Sequence, residues 1–386
     1  MTNRYNEPNR ADILVVDDTP ENLRLLSQML GEQGYQVRPV TSGSMALTAV
    51  QADPPDLILL DIKMAGMDGY QVCQRLKADD KTREIPILFI SALGDTQDKV
   101  KAFSAGGVDY ITKPFHFEEV LARVKTHLSL RTLQKQLQES NRKMEQELNL
   151  AGEIQISFLR SKLPEIPGWE ISVSLWPARE TCGDFYDVFC LPEGRIGILI
   201  ADVVDKGVSA ALFMAFCCAL IRTYTSDFPM RSDVVFSTLN SRILKDTTAS
   251  QFVTIFYSVL EPDTGELLYS NAGHPPGFIF RSSVAEGVRT LERTGLPLGI
   301  FERERWRQER ESMQAGDLMV LYTDGIPDAL NECGESFGEG RFRNLVEENA
   351  AKGTQEIRDA FHASMKTFTG GQPQYDDMAL ILLKRS

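Results

Sequence analysis

Three apolar runs of this chain end in aspartate, and this pattern constrains the fold more than any other feature. The runs are ILVVDD at 13–18, DLILLD at 56–61 and GILIADVVDKG at 197–207. A rigid strand aims its last side chain, while the loop that follows leaves room for a ligand. The sequence therefore predicts chemistry at strand ends, and the question is whether these carboxylates serve one site or several.

Composition excludes several classes of protein. With 386 residues and 42% hydrophobic content, the chain is long enough for two or three domains with real cores. Its formal net charge of −13 comes with no basic arm or recognition-helix pattern. These features argue against a nucleic-acid surface, so a DNA-binding regulator is disfavoured.

The cysteines and the hydropathy pattern indicate the compartment. Six cysteines form no CxxC pair and four histidines are scattered, so neither a zinc site nor a disulfide framework is indicated. The N-terminal stretch MTNRYNEPNRAD is polar, and no stretch approaches the roughly 20 apolar residues of a membrane span. We therefore expect a cytoplasmic protein with reduced thiols and no membrane interaction.

Residues 13–130 alternate short apolar runs with helical patterns. The apolar runs are ILVVDD, YQVRPV, DLILLD, IPILFIS and VDYITKP. This alternation predicts an α/β domain with a doubly wound, five-stranded parallel sheet. Ligands of such a sheet bind beyond the carboxyl ends of the strands. The polar residues expected at that edge are Asp17, Asp18, Asp61, Ser91 and Lys113.

These side chains suit phosphoryl chemistry. The three acids offer the oxygen ligands that Mg²⁺ prefers, and Mg²⁺ neutralises a phosphoryl group that arrives on an aspartate oxygen. Ser91 supplies a hydroxyl and Lys113 a positive charge for the phosphoryl oxygens. Strand-end acids can also simply cap helices or turns, but capping does not explain Lys113-Pro114 after an apolar strand.

The motifs VVDD, LLDIKMAGMDGY, ISA and ITKPF resemble the receiver domain of two-component response regulators. The resemblance covers roughly the first third of the chain and implies a flavodoxin-like fold and a sensor histidine kinase as partner. The site residues that it implies are Asp61 as phosphoacceptor, Asp17, Asp18 and the carbonyl of Lys63 with Asp61 at Mg²⁺, Ser91 and Lys113 as phosphate sensors, and Tyr110 as the switch aromatic.

Residues 127–158 are rich in Gln, Glu, Lys and Arg, and glycine and proline are nearly absent until Gly152. We expect a continuous helix that follows the last receiver helix. Its apolar residues, spaced by three, four and seven, are Leu130, Leu133, Leu137, Met144 and Leu148. This seam predicts a parallel coiled coil that forms a homodimer and transmits the state of the receiver. Because Ser140 and Glu147 interrupt the heptad, a solvated spacer helix is the alternative.

From about residue 164 the pattern changes to paired strands with turn signals such as PDTGE between them. Pairs of this kind predict antiparallel sheets, and helical stretches at 208–225, 233–245 and 355–369 predict helices packed against them. Acids again stand at strand ends or beside glycines. They are Asp184, Asp202, Asp324 and Asp377.

Four dispersed carboxylates without a histidine or cysteine set favour hard divalent cations, Mn²⁺ or Mg²⁺. Two such ions roughly 3.5–4 Å apart activate water and clamp a phosphate for in-line attack. The stretches AGEIQISFL, CGDFYD, NAGHPPGF, TGLPLGIF and DDMAL resemble the PPM, or protein phosphatase 2C-like, family in its bacterial sporulation stage II protein E branch. This resemblance covers nearly all of residues 150–386.

The resemblance implies a β-sandwich of mainly antiparallel sheets flanked by helices, and a metal-dependent protein serine/threonine phosphatase. It implies that Asp202 bridges two Mn²⁺ or Mg²⁺ ions, with the carbonyl of Val203 beside it. Asp324 and Asp377 are implied to hold the second ion. Asp184 is implied to bind directly or through water.

Two further residues are weaker candidates. His274 in NAGHPP could be a catalytic base, but a structural role in a turn is favoured. Arg179, just before CGD, is a candidate phosphate clamp, and a solvated surface role is equally compatible with its position.

The sequence thus predicts a receiver domain at 1–126, a helical linker at 127–163 and a phosphatase domain at 164–386. The predicted function is phosphorylation-controlled dephosphorylation of phosphoserine or phosphothreonine on a partner protein. By family analogy, that partner is an anti-sigma factor antagonist. The alternative is a non-catalytic adaptor that binds a partner through a decayed phosphatase fold, and the retention of all four acids argues against it.

Overall fold

The computed structural model describes residues 11–91, 96–159, 162–247, 251–282 and 287–386. The chain divides into two compact units, Met1–Lys143 and Met144–Ser386. The division falls inside the segment that the sequence predicts to be a linker.

The first unit alternates strands and helices. Its elements are β1 (Asp12–Val16), α1 (Pro20–Gly31), β2 (Gln36–Val40), α2 (Gly43–Ala52), β3 (Leu57–Asp61), α3 (Gly69–Ala78), β4 (Ile87–Ser91), α4 (Thr96–Ser104), β5 (Asp109–Thr112) and the start of α5 (Phe117–Phe158). The strands form a parallel sheet in the order β2-β1-β3-β4-β5. This order confirms the doubly wound, flavodoxin-like fold.

Helices cover both faces of this sheet. On β1, Ile13 and Val15 pack with residues of α1 and α5, whereas Leu14 and Val16 pack with residues of α2 and α3. Because both faces are buried, the inner strands β3 and β4, and β1 after Asp12, are apolar and become polar only where they end, whereas the edge strand β2 contains Arg38. The carboxyl ends of β1, β3 and β4 therefore carry the polar residues of the predicted site.

The helix α5 is continuous for 42 residues. This confirms the predicted continuous helix. Arg131 attaches it to the rest of the first unit, since its guanidinium donates to the carbonyls of Pro55 (3.0 Å) and Asp56 (2.6 Å). The predicted apolar seam is exposed along most of its length, and Ile154 and Phe158 continue it at the same heptad spacing. The residues of the seam that are more than half exposed are Leu130, Leu133, Leu137, Met144 and Ile154.

The second unit contains two five-stranded antiparallel sheets. Its further elements are β6 (Trp169–Trp176), β7 (Phe185–Cys190), β8 (Ile196–Val203), α6 (Val208–Asp227), α7 (Ser232–Asp246), β9 (Val253–Glu261), β10 (Glu266–Ala272), β11 (Gly277–Phe280), β12 (Val288–Leu291), β13 (Glu309–Ser312), β14 (Leu318–Tyr322), α8 (Gly338–Asn349), α9 (Thr354–Thr369) and β15 (Met378–Arg385). The strand orders are β13-β10-β9-β8-β7 and β12-β11-β14-β15-β6.

The two sheets pack face to face. Ile200 and Phe256 of the first sheet share a buried cluster with Leu321 and Ile381 of the second. Residues of α6 and α7 cover the outer face of the first sheet, and residues of α8 and α9 cover that of the second. This arrangement confirms the β-sandwich flanked by helices.

The sequence analysis missed β7, β12, β13 and α8, for physical reasons. All three strands lie at the edges of their sheets, where a strand needs only one apolar face or none. The strand β13 is the four polar residues ERES, and α8 begins with GEG, which is a poor helix start.

One sequence-based expectation about the helices was wrong. The helix α6 has 20 residues and is apolar enough, by length and composition, to cross a membrane, although no such stretch was expected. A core helix passes the same test. On this helix Phe213, Met214, Cys217 and Ile221 are buried in the cluster that it forms with α7 and the first sheet.

Candidate functional site

Three acids meet at the carboxyl edge of the parallel sheet. Asp17 is fully buried, Asp61 is nearly so, and Asp18 is exposed. Ligand oxygens of these three carboxylates all lie within 4.8 Å of one another. The structure thus brings together the three acids that the sequence predicts to hold Mg²⁺, and their oxygen-only donor set fits a hard divalent cation.

Lys113 lies among these acids. Its Nζ is 2.8 Å from Asp17 Oδ2 and 3.0 Å from Asp61 Oδ2. Burial raises the pKa of Asp61, and the hydrogen bond and charge of Lys113 oppose that rise. Burial works to lower the pKa of Lys113, but hydrogen bonds to Asp17 and Asp61 outweigh it, so the pKa of the lysine is raised. Lys113 therefore stays charged beside the predicted phosphoacceptor.

Of the remaining predicted receiver residues, Lys63 and Ser91 lie at the same edge, whereas Tyr110 lies two residues before the end of β5. The backbone N–H of Lys63 donates to the carboxylate of Asp61. Ser91 is buried at the end of β4, and its carbonyl accepts from the N–H of Lys113 at 2.7 Å. Ala92, of the ISA motif, lies outside the described residues. Tyr110 on β5 contacts Phe103 edge to face, with ring centroids 6.3 Å apart.

In the second unit, strand pairing brings the four predicted acids together. Phe185 pairs with Ala201, so Asp184 and Asp202 are the next residues of two neighbouring strands. Tyr322 pairs with Leu380, which places Asp324 beside the residues that precede β15. The approach there is close, because a Cβ added at Gly325 would lie 1.9 Å from the carbonyl oxygen of Asp377.

Asp184, which is buried, and Asp202, which is half-buried, form a close pair of carboxyl groups. Burial and the charge of Asp202 raise the pKa of Asp184 well above its usual value. Burial and the charge of Asp324 raise the pKa of Asp202 to about 7. Within the described ranges, Asp184 Oδ2 has no hydrogen-bond partner. A buried carboxylate oxygen without a donor, next to a second carboxylate, is the environment that a bound cation would satisfy.

The two acids of the motif YDDMAL, Asp376 and Asp377, have different surroundings. Both carboxylate oxygens of Asp377 accept backbone hydrogen bonds, Oδ1 from Ala178 and Oδ2 from Gly183, each at 2.7 Å. The charge of Asp376 acts on Asp202 and on Asp324, and that of Asp377 acts on Asp184 and on Asp202. Both acids therefore lie near the cluster, with Asp376 beside Asp324 and Asp377 hydrogen-bonded to the loop before β7.

Sequence analysis named Asp377 and did not consider Asp376. A signal for the second acid was present in the tandem aspartates at the start of a strand.

Lys206, in the turn after β8, is a further residue near the acid cluster that sequence analysis did not name as a site residue. Its Nζ lies 3.0 Å from Asp376 Oδ2, and it donates to the carbonyl of Tyr375 at 2.9 Å. The turn that presents it is tight, since Asp205 has a φ of 91° and Gly207 a φ of 82°. Nearby, Gly183 packs against Val203, whose carbonyl is a predicted metal ligand. A Cβ at position 183 would lie 3.0 Å from that carbonyl oxygen.

His274 is fully buried, with both ring nitrogens in hydrogen bonds. Nε2 lies 3.1 Å from the carbonyl of Tyr322, which can only accept, so Nδ1 accepts from the hydroxyl of Thr254 at 2.9 Å. Burial lowers the pKa of this imidazole to about 3. The geometry favours the structural role over that of a base. Arg179 is exposed on the loop that leads to Asp184.

The donors in this second cluster fit a hard divalent cation, although they are less tightly gathered than in the first. Across the described ranges, the one set of three or more ligand atoms within 4.8 Å of one another is that of Asp17, Asp18 and Asp61. The phosphatase acids are all oxygen donors, and the unpartnered oxygen of Asp184 lies among them.

Two family models match the chain. The model described as stage II sporulation protein E (SpoIIE) matches residues 192–386, and that of the response regulator receiver domain matches residues 13–125. The SpoIIE match spans half of the chain.

Two curated relatives are similar to this chain over about two thirds of its length. Protein IcfG of Synechocystis sp. (strain ATCC 27184 / PCC 6803 / Kazusa) is 32% identical, over 62% of this chain and 42% of that protein. Phosphoserine phosphatase RsbU of Bacillus subtilis (strain 168) is 30% identical, over 67% of this chain and 74% of that protein. The chain thus spans less than half the length of IcfG and about three quarters of RsbU.

Among solved structures, the SiaA-PP2C domain of Pseudomonas aeruginosa matches with a TM-score of 0.56 and 21% identity, over 64% of this chain and 98% of that domain. This similarity is one of fold, and it agrees with the β-sandwich described above. Together with a receiver domain at residues 13–125, the match over residues 192–386 shows that this chain belongs to the SpoIIE family of PPM-type phosphatase domains.

Proposed function

We propose that this chain is a response regulator whose output domain hydrolyses phosphoserine or phosphothreonine on a partner protein with the help of divalent metal ions. The observation that carries the proposal is the close pair of Asp184 and Asp202, in which Asp184 is buried and one of its carboxylate oxygens has no donor among the described residues. Such an accumulation of like charge suits bound cations and has no evident structural purpose.

The acids of the phosphatase unit would have different roles in binding the ions. Asp202 lies beside Asp184 and feels the charge of Asp324, so these acids, with Asp376 and the carbonyl of Val203, would hold Mn²⁺ or Mg²⁺ ions. In this arrangement Asp202 would be the acid shared between the ions. Bound ions of this kind activate water and neutralise the charge of a phosphate ester.

Asp377 takes a different role from the one that its sequence suggests. Its carboxylate fixes the loop of Ala178 and Gly183, which presents Asp184. Lys206 compensates the charge of Asp376 and ties the turn after β8 to the strand that starts at Met378. Arg179 is placed on the same loop as Asp184, where it could contact a phosphate that reaches the cluster.

Asp61 is the proposed phosphoacceptor of the receiver, with a sensor histidine kinase as donor. Asp17, Asp18 and the Lys63 carbonyl hold Mg²⁺ beside it. A phosphoryl group on Asp61 would attract Lys113, whose Nζ is 3.0 Å from the carboxylate. Ser91 and Tyr110 then respond as in other receivers, which supplies the switch that controls the output.

Two further parts of the proposal concern partners. RsbU is named a phosphoserine phosphatase, and by this analogy the substrate is a phosphorylated anti-sigma factor antagonist. The exposed seam of α5, which includes Leu133, Leu137 and Met144, suits a second copy of this chain in a parallel coiled coil.

The function is tested first at the bridging acid. We expect Asp202→Asn to reduce hydrolysis of p-nitrophenyl phosphate with Mn²⁺ by about 100-fold and to weaken Mn²⁺ binding in calorimetry, because a shared ligand loses its charge. The exposed Asp227→Asn, on α6, is the control and should behave as the parent. Parent protein that neither hydrolyses the ester nor binds Mn²⁺, yet still captures a phosphoprotein, would favour the adaptor.

A second pair of variants separates the tandem acids. Asp376→Asn should weaken Mn²⁺ binding by about 10–100-fold and leave urea unfolding of the metal-free protein unchanged. Asp377→Asn puts an amide nitrogen against a backbone N–H and should lower the free energy of unfolding by about 1.5–3 kcal/mol. Weak Mn²⁺ binding by Asp377→Asn at full stability, with normal binding by Asp376→Asn, would restore the assignment made from the sequence.

The receiver assignment has its own test. An amide at position 61 cannot form an acyl phosphate, so Asp61→Asn should abolish labelling by radioactive acetyl phosphate in the presence of Mg²⁺. The exposed Asp80→Asn is the matched control and should be labelled as the parent is. Equal labelling of Asp61→Asn and parent would place the phosphoacceptor elsewhere.

Coupling through α5 can be tested by changing its helical phase. Two residues inserted near Ser140 rotate everything downstream by roughly 200°, whereas seven residues change the phase by only about 20°. The two-residue insertion should leave labelling and basal hydrolysis intact but remove the change in activity that acetyl phosphate produces. The seven-residue insertion should keep that change. If both insertions respond as the parent does, α5 is only a tether.

A further inference from the structure

The last turns of α5 contact the loop that leads to Asp184. Gly152 lies against this loop so closely that an added Cβ would be 2.0 Å from the carbonyl oxygen of Glu180. One turn further along the helix, Gln155 lies on the same face and is only 4% exposed. Position 152 therefore has no room for a side chain, and Gln155 reaches into the space beside it.

Gln155 holds a single residue of the loop through both of its backbone groups. Its Nε2 donates to the carbonyl of Cys182, and its Oε1 accepts from the N–H of Cys182 at 3.0 Å. A buried amide side chain is costly unless its polar atoms are paired. Here both are paired with the N–H and the carbonyl of one residue, in the way that a neighbouring strand would pair with it, so the position of Cys182 is strongly specified.

Cys182 directly precedes Gly183, which contacts the acid cluster, and Asp184, which belongs to it. The N–H of Gly183 donates to Asp377 Oδ2 at 2.7 Å, and Asp184 follows it. The N–H of Ala178, earlier in the same loop, donates to Asp377 Oδ1 at 2.7 Å. A shift of Cys182 would therefore move Asp184 directly and would disturb the anchor of Asp377, next to Asp376.

Other contacts already attach the end of α5 to the domain. The carbonyl of Phe158, the last residue of the helix, accepts from Arg222 Nη2 at 2.8 Å. Arg222 Nε in turn lies 2.6 Å from Asp187 Oδ2, which is buried on β7. Because this ion pair fastens the helix end, the two hydrogen bonds of Gln155 are not needed for attachment alone.

We infer that Gln155 is a positioning residue for the metal-binding acids: through Cys182 it sets the place of Gly183 and Asp184 relative to Asp202. The inference rests on the proposed function of these acids as metal ligands. It gives the last part of α5 a role inside the phosphatase unit, in which the helix takes part in building the site.

The test compares Gln155→Leu, which has similar volume and removes both hydrogen bonds, with Gln155→Glu, which keeps only the acceptor for the Cys182 N–H. Glu153→Leu, on the exposed side of the same helix, is the control. The measurements on the full chain are the Kd of Mn²⁺ by calorimetry, the Mn²⁺ concentration that half-saturates hydrolysis of p-nitrophenyl phosphate, and the Tm of the metal-free protein.

We expect Gln155→Leu to weaken Mn²⁺ binding by about tenfold, and Gln155→Glu by less, at a temperature where both are folded. The control should keep the Kd of the parent. A residue that only anchors the helix would lower Tm and leave the Kd unchanged, so the Kd is the deciding quantity. Gln155→Glu retains half of the contact and gives a folded variant if Gln155→Leu does not fold.

Two outcomes would overturn the inference in different ways. If the parent binds Mn²⁺ and both Gln155 variants bind it equally well, Gln155 is a structural anchor and the proposed function stands. If the parent itself does not bind Mn²⁺, the proposed function falls and the inference falls with it.

Discussion

Buried carboxylates at the ends of strands are the constraint on which the rest of this structure depends. Like charges packed in a low-dielectric setting repel one another, and something positive must compensate them. In the receiver the chain supplies the cation, because Lys113 Nζ lies 2.8 Å from Asp17 and 3.0 Å from Asp61. In the phosphatase unit Lys206 compensates only Asp376, and the pair of Asp184 and Asp202 keeps an oxygen without a donor in the described part of the chain. In the first site the chain itself therefore supplies part of the compensation beside the proposed Mg²⁺, whereas in the second the unpartnered oxygen of Asp184 is an environment that a bound cation would satisfy.

Sheet register is what assembles the second site from distant parts of the chain. The pairing of Phe185 with Ala201 aligns Asp184 with Asp202, and the pairing of Tyr322 with Leu380 brings Asp324 to the start of β15. A one-residue slip in either pairing would turn an acid to the opposite face of its sheet. Apolar side chains that interdigitate between the two sheets prevent such a slip, so the hydrophobic core of the sandwich also fixes the geometry of the acids.

The sequence was sufficient to predict the fold class. Apolar runs with acids at their ends marked buried strands, and the receiver and phosphatase motifs agreed with the order of the elements. Apolar runs that end in acids pointed to Asp202 and Asp324, and a family motif pointed to Asp184; the structure places these acids near one another. The sequence named Asp377 and not Asp376, because a tandem pair of acids does not show which of the two lies beside Asp324. It also failed for Gln155, whose polar side chain in a helix rich in Gln and Glu looks solvated. Only tertiary contact with Cys182 shows that it is buried. Edge strands such as β13 were not predicted for a related reason, because their residues are as polar as those of loops.

Each end of α5 contacts residues of the candidate site in its own unit. Near its start, Arg123 pairs with Asp109 at 2.7 Å and lies 5.6 Å from the ring centroid of Tyr110, the proposed switch aromatic. Near its end, Gln155 holds Cys182 beside the metal acids. A ligand or modification shifts a protein only between arrangements that it stabilises differently. The helix α5 is continuous for 42 residues and has a side chain near the candidate site of each unit. We propose that this helix couples the receiver to the output, because its hydrogen-bonded backbone resists local change.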